Sequence, residues 1–91
     1  MRSEASIQKS CMAYAKKHGF WVYKVNDRFR SGIPDLMLIK NGQVFFVELK
    51  KENGVVSKIQ DATMKEIEAH GVKCHVCYSV DEFKGVINAI I

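Results

Sequence analysis

The chain has 91 residues, 47% of them hydrophobic and 26% charged, with one Pro and six Gly; this mix describes a single globular domain over residues 1–91 and excludes a disordered tail, a collagen-like chain and a coiled coil. No stretch approaches the roughly 20 apolar residues of a membrane span, Met1-Arg2-Ser3-Glu4 is followed by no long apolar run, so no secretory signal is expected, and three cysteines are too few and odd in number for a disulfide scaffold, so a cytoplasmic location is expected. The net charge of +4 gathers at one end, with seven basic side chains (Arg2 among them) against two acidic ones in residues 1–30 and three against five in residues 61–91; a polyanion is the natural partner, the plainer reading being that the charge serves solubility.

Ser3 is placed to cap a helix over residues 4–18, where Ala5, Ile7, Cys11, Tyr14 and Ala15 recur near helical spacing. Lys16, Lys17 and His18 suit its C-terminus and Gly19 its end. Residues 20–25 are β-branched and aromatic and predict a strand, followed by a polar loop, 26–34, that contains Arg28, Phe29, Arg30 and Gly32. Two strands, 35–40 and 43–50, flank Asn41-Gly42, a strong signal for a type I′ hairpin turn. A loop, 51–56, leads to Ser57-Lys58-Ile59-Gln60, a capping box that opens a helix ending at His70-Gly71. Residues 72–78 predict a further strand, and Ser79-Val80-Asp81-Glu82 a second capping box before a helix to about residue 90. The order α-β-β-β-α-β-α, with apolar residues on both faces of the middle strands, predicts an α/β domain whose mixed sheet carries helices on both faces.

The two-residue turn sets the hairpin register. Lys40 faces Gln43, and the same ladder pairs Asp35 with Glu48. Lys50, two residues on, points to the same side, where the remaining residues are Met37, Ile39, Val44 and Phe46. Two carboxylates and an amine therefore collect at one end of an apolar face. Like charges placed opposite one another are destabilising. A shared proton, Lys50 alone, or a divalent cation of the Mg²⁺ or Mn²⁺ kind would each neutralise them. Gly32 and Pro34 shape the loop that leads into Asp35.

Pro34-Asp35, twelve residues, then Glu48-Leu49-Lys50 resembles the PD-(D/E)xK nuclease signature. With Ser3-Glu4-Ala5 on the first helix, Gly32-Ile33 before Pro34, and Gln60 on the second helix, the pattern over about residues 3–78 is similar to the virus-type replication-repair nuclease (VRR-Nuc) domain in stand-alone form. That resemblance implies a restriction-endonuclease-like α-β-β-β-α-β core, here with an extra C-terminal helix, and metal-dependent phosphodiester hydrolysis. It implies that Asp35, Glu48 and the backbone carbonyl of Leu49 ligate Mg²⁺ or Mn²⁺, with Glu4 completing the acidic cluster directly or through water. Lys50 would orient or help deprotonate the attacking water and offset developing charge, and Gln60 would brace the site. Local structure offers plainer roles for two of these: Glu4 suits a helix N-terminus and Gln60 a capping box.

Lys24, Arg28 and Arg30 flank the acids and are candidate phosphate contacts, as are Lys9, Lys16 and Lys51. Phe29 is placed either to stack on a base or wedge a junction, or to anchor its loop in the core. Cys74 and Cys77 fall on opposite faces of a strand, which reads as buried thiols and not as a zinc site. One site per small chain predicts a homodimer for cutting two strands, with Phe20, Trp21, Tyr23 and residues 87–91 as surplus apolar surface. The resemblance extends this to a structure-selective DNA-repair endonuclease of bacterial or phage-infected cells, similar to Holliday junction resolvases, acting on four-way junctions without a small-molecule cofactor or membrane. Flap or end processing, a non-catalytic DNA-binding module of the same fold, and an interaction protein with a salt-bridged rim are the competing expectations.

Overall fold

The computed structural model describes residues 3–91, so Arg2 lies outside the described residues. The elements are α1 (Glu4–Lys17), β1 (Trp21–Lys24), β2 (Leu36–Lys40), β3 (Gln43–Leu49), α2 (Lys58–Ala69), β4 (Lys73–Cys77) and α3 (Val80–Ile90). This is the expected order, each strand being shorter than its apolar run by a residue or so at the ends. No helix among the described residues is long and apolar enough to cross a membrane.

Local chemistry accounts for the boundaries. Ser3 Oγ accepts from Ser6 N at 3.1 Å at the start of α1, satisfying one of the free amides of the first turn. Asn41 and Gly42 both take positive φ, 52° and 77°, as a type I′ turn requires. Ser57 and Gln60 form the full reciprocal capping box at α2. The second expected box is only half made. Ser79 Oγ accepts from Glu82 N at 3.0 Å, but Glu82 Oε1 accepts from Tyr78 N at 3.2 Å, one residue before the cap.

The sheet order is β1-β2-β3-β4, antiparallel except for the β3–β4 pair, which α2 connects in parallel. The hairpin register is Lys40↔Gln43 through Leu36↔Val47, as the turn predicts. One side of the sheet carries Leu36, Leu38, Val47, Leu49 and Cys77, sealed by Ile7, Cys11 and Ala15 of α1 and Phe83 and Ile87 of α3. The other side is covered only in part, because α2 packs on β4. Met37, Ile39, Val44 and Phe46 are consequently half-buried, and Trp21 and Tyr23, which pair with Ile39 and Met37, stay 56% and 48% exposed. The expected apolar surplus is thus smaller than the sequence suggests. Phe20 is a core residue packed edge-on to Phe45, and Ile87 is fully buried.

Cys74 Sγ faces Met64 O of α2, whereas Cys77 lies in the core under α1 and α3. Burial pushes their thiols up to about 11 and about 12, so both are poor thiolates.

Candidate active site

The site forms where the β2–β3 ladder ends. Pro34 is fully buried and has no N–H to donate, so β2 begins only after Asp35. Val25 N donates to Asp35 O at 2.8 Å, which holds the end of β1 beside this residue. One step beyond the Leu36↔Val47 pair, Asp35 stands opposite Glu48. Its Oδ2 accepts from Leu49 N at 2.7 Å. Lys50 N donates to Cys77 O on β4 at 2.9 Å. In a trans peptide the carbonyl points opposite to the N–H, so the Leu49 carbonyl faces away from β4, toward the side where Asp35 lies.

Glu48 has a side chain only 4% exposed. A carboxylate buried to this degree needs donors. Lys50 Nζ lies 3.3 Å from its Oε2, Gln60 Nε2 donates to the same oxygen at 3.0 Å, and the backbone N–H of Asp35 also donates to this carboxylate. Burial raises the pKa of Asp35, against the Leu49 N–H and the charges of Lys50 and Lys24, with Glu4 adding to the rise. Burial also raises Glu48, and the neighbouring Asp35 charge raises it further, against Lys50. Folded, both acids hold protons more readily than when unfolded, so their contribution to stability is present at low pH and is lost as pH rises through the raised values.

These donors suit a hard divalent cation. Mg²⁺ takes one or two carboxylates, adds carbonyl or water oxygens, and would offset the cost of holding charged acids in this half-buried place. Among the described residues no group of three His, Cys, Asp or Glu forms. Glu4, the first residue of α1 and exposed, is near enough to act on Asp35 and borders a small recess with Ile7, Gln8, Leu49 and Lys50.

The side-chain amide of Gln60 makes two hydrogen bonds at once. Its Oε1 accepts from Ser57 N at 3.0 Å while Nε2 holds Glu48. Removing such a support typically costs about 10- to 100-fold in metal affinity or activity. Gln60→Ala is therefore expected to lower metal affinity by about that factor and to lose about 1 kcal/mol of capping. Ser57→Ala, which removes only the cap, is expected to melt earlier and keep its metal affinity. Calorimetric metal titration beside thermal melts separates the two.

The loop before Pro34 is pressed onto α2. Gly32 has φ +87°, and a Cβ there would lie 2.5 Å from Ile59 Cγ2 and 3.0 Å from both Ile59 O and Thr63 Oγ1. Gly32→Ala must move the loop that carries Asp35. Overpacking of this kind costs about 1–3 kcal/mol, and a lower melting temperature together with weakened cleavage is expected. Sequence reasoning missed this wall of Ile59, Thr63 and Glu66. Its only signal was their spacing along one stripe of a helix.

The basic candidates divide by position. Lys24 acts on Asp35 through its charge, Arg28 lines an open cleft beside β1, and exposed Lys51 follows Lys50. Arg30 is ion-paired with Glu66 of α2, with both side chains exposed, which links the loop to that helix. Lys9 is exposed on α1, and Lys16 lies at the far end of that helix from Glu4, about 18 Å away at 1.5 Å per residue. Phe29 is 99% exposed, which rules out the core-anchor reading. A larger apolar cleft of about 630 Å³, bordered by Phe45, His75, Val86 and Ile90, contains neither acid.

A family model of the VRR-NUC domain matches residues 6–81. A solved structure described as a VRR-NUC domain superposes with a TM-score of 0.84 and 28% identity, covering 93% of this chain and 94% of that one. No curated protein matches significantly.

Proposed function

The chain belongs to the VRR-NUC domain family, a nuclease family of the PD-(D/E)xK type, and on that premise we propose that it is a divalent-metal-dependent endonuclease for branched DNA, acting as a homodimer on four-way junctions. The observation that supports this most strongly is Asp35 facing Glu48 at one strand end with Lys50 on the buried carboxylate. Asp35, Glu48 and the Leu49 carbonyl would hold Mg²⁺ or Mn²⁺, with Glu4 reaching it through water. Such an ion, when bound, makes a water more acidic and polarises the phosphoryl oxygen.

The chain's own residues do the rest. Asp35 is oriented by Leu49 N–H, and Glu48 by Gln60 and Lys50, so both acids are set before substrate arrives. Lys50 places a positive charge beside them, where it would orient the attacking water and offset charge gathering on the phosphate. Lys24, Arg28 and Lys51 would hold flanking phosphates, contacts that position DNA without reading its sequence. The homodimer rests on stoichiometry: the described residues form one such site, two cuts need two, and twofold pairs are the commonest assembly.

Labelled four-way junction, flap, duplex and single strand, each incubated with and without Mg²⁺, test the proposal. Paired cuts in the junction only with the metal are expected, from a protein that sediments as a dimer. No cleavage of any substrate with Mg²⁺ or Mn²⁺ would contradict it and leave a DNA-binding module. Single cuts confined to flaps would replace the junction by an end-processing substrate.

A further inference from the structure

Beside β1 an open cleft of about 410 Å³ is lined by Tyr23, Val25, Asn26, Asp27, Arg28 and Phe29. It lies on the same side of the sheet as the acids. Tyr23 pairs with Met37 and Met37 with Phe46; cross-strand partners and residues two apart share a side. Two residues further along each strand come Val25 and Glu48, with Asp35 between them, held to Val25 by a 2.8 Å hydrogen bond. The cleft is therefore one strand away from the acids, at the free rim of an edge strand.

Its walls are chemically specific. Phe29 projects from the loop with its ring 99% exposed and Tyr23 is 48% exposed. The loop tip has a defined shape, because Phe29 N donates to Asp27 Oδ1 at 2.8 Å, an Asx turn. The loop's other end is tied to α2 through Arg30 and Glu66. Arg28 has no ion-pair partner among the described residues. Asn26 offers both a donor and an acceptor. Folding does not use a fully exposed Phe, whereas a flat π-face does use aromatic walls, and a guanidinium beside them suits the phosphates on either side of a base. Bases within a continuous duplex are stacked on both sides, so the base that enters is one at an interruption of the stack, such as a branch point or a fork.

We propose that this cleft holds one nucleobase unstacked at a branch point, a four-way junction or a fork, beside the scissile phosphate, so that an interruption of base stacking next to the cut selects the substrate. The location rests on the nuclease reading, but the binding does not require metal or cleavage.

The test measures affinity in EDTA for forked DNA and for perfect duplex, with a 2-aminopurine at the unpaired position nearest the fork. Stacking on an aromatic ring is worth about 1–3 kcal/mol per base, so Phe29→Ala is expected to weaken forked-DNA binding about 5- to 150-fold and duplex binding by less than about twofold. The 2-aminopurine quenching should vanish with it, Phe29→Trp should restore both, and Tyr23→Ala should weaken the fork in the same direction. Because Phe29 touches nothing that folding needs, its variants report on binding and not on stability. Unchanged fork affinity, an equal loss on both DNAs, or a changed sedimentation coefficient with intact DNA affinity (a protein contact) would each overturn the proposal. A wild type that grips forks through Phe29 yet never cuts would sink the nuclease reading and leave the cleft standing.

Discussion

Asp35→Asn is expected to abolish cleavage while the metal-free protein becomes more stable. The amide is nearly isosteric and its oxygen can still accept from Leu49 N–H, the bond now made at 2.7 Å, so the strand end keeps its shape. What disappears is a carboxylate charge that burial already penalises and that raises the cost of charging Glu48. Loss of a group that organises charge at the reacting phosphate typically costs about 100- to 1,000-fold in turnover. Single-turnover cleavage should fall by at least that factor with DNA affinity in EDTA unchanged. In thermal melts without metal the variant should exceed wild type near pH 7. The gap should close below the ordinary Asp value of 3.8, where the wild-type acid is protonated too. Added Mg²⁺ should stabilise wild type, as any ligand of the folded state does, and leave Asp35→Asn unmoved.

Lys50→Met carries the opposite stability sign with an equal loss of activity. The Lys50 and Glu48 side chains are 17% and 4% exposed and their charges are 3.3 Å apart. Removing one partner of a fully buried pair costs about 3–5 kcal/mol. Lys50 is partly solvated and Gln60 remains on Glu48, so a loss of about 2–3 kcal/mol near neutral pH is expected, shrinking in acid as Glu48 takes up a proton. Turnover should drop about 100- to 1,000-fold without loss of metal binding, since both carboxylates stay. Lys50→Arg should recover the stability but not the rate, because a planar fork does not replace a compact ammonium. Unchanged cleavage by Lys50→Met would remove the lysine from the chemistry.

The acidic pair was legible because it follows from local rules alone. A two-residue turn at Asn41-Gly42 leaves one register, and strand parity then places Asp35, Glu48 and Lys50 on one side. The features that escaped depend on where α2 crosses the sheet, which no local pattern states. Ile59 and Thr63 against Gly32, and Glu66 on Arg30, join segments about 30 residues apart. Gln60 shows the same limit within one side chain, since Ser57 three residues away explains its oxygen while nothing nearby predicts that its nitrogen reaches Glu48. Phe20 was read as surface surplus because the apolar residues outnumber what a small core needs, yet it is buried while its neighbour Trp21 stays exposed.

Titration of Mn²⁺ into the metal-free protein by calorimetry, for wild type, Asp35→Asn and Glu48→Gln, tests the central claim most directly. Wild type is expected to bind the ion and both variants to lose that binding, since each carboxylate supplies half of the charge. No binding by wild type, or the same binding by all three proteins, would contradict a cation site between these two acids.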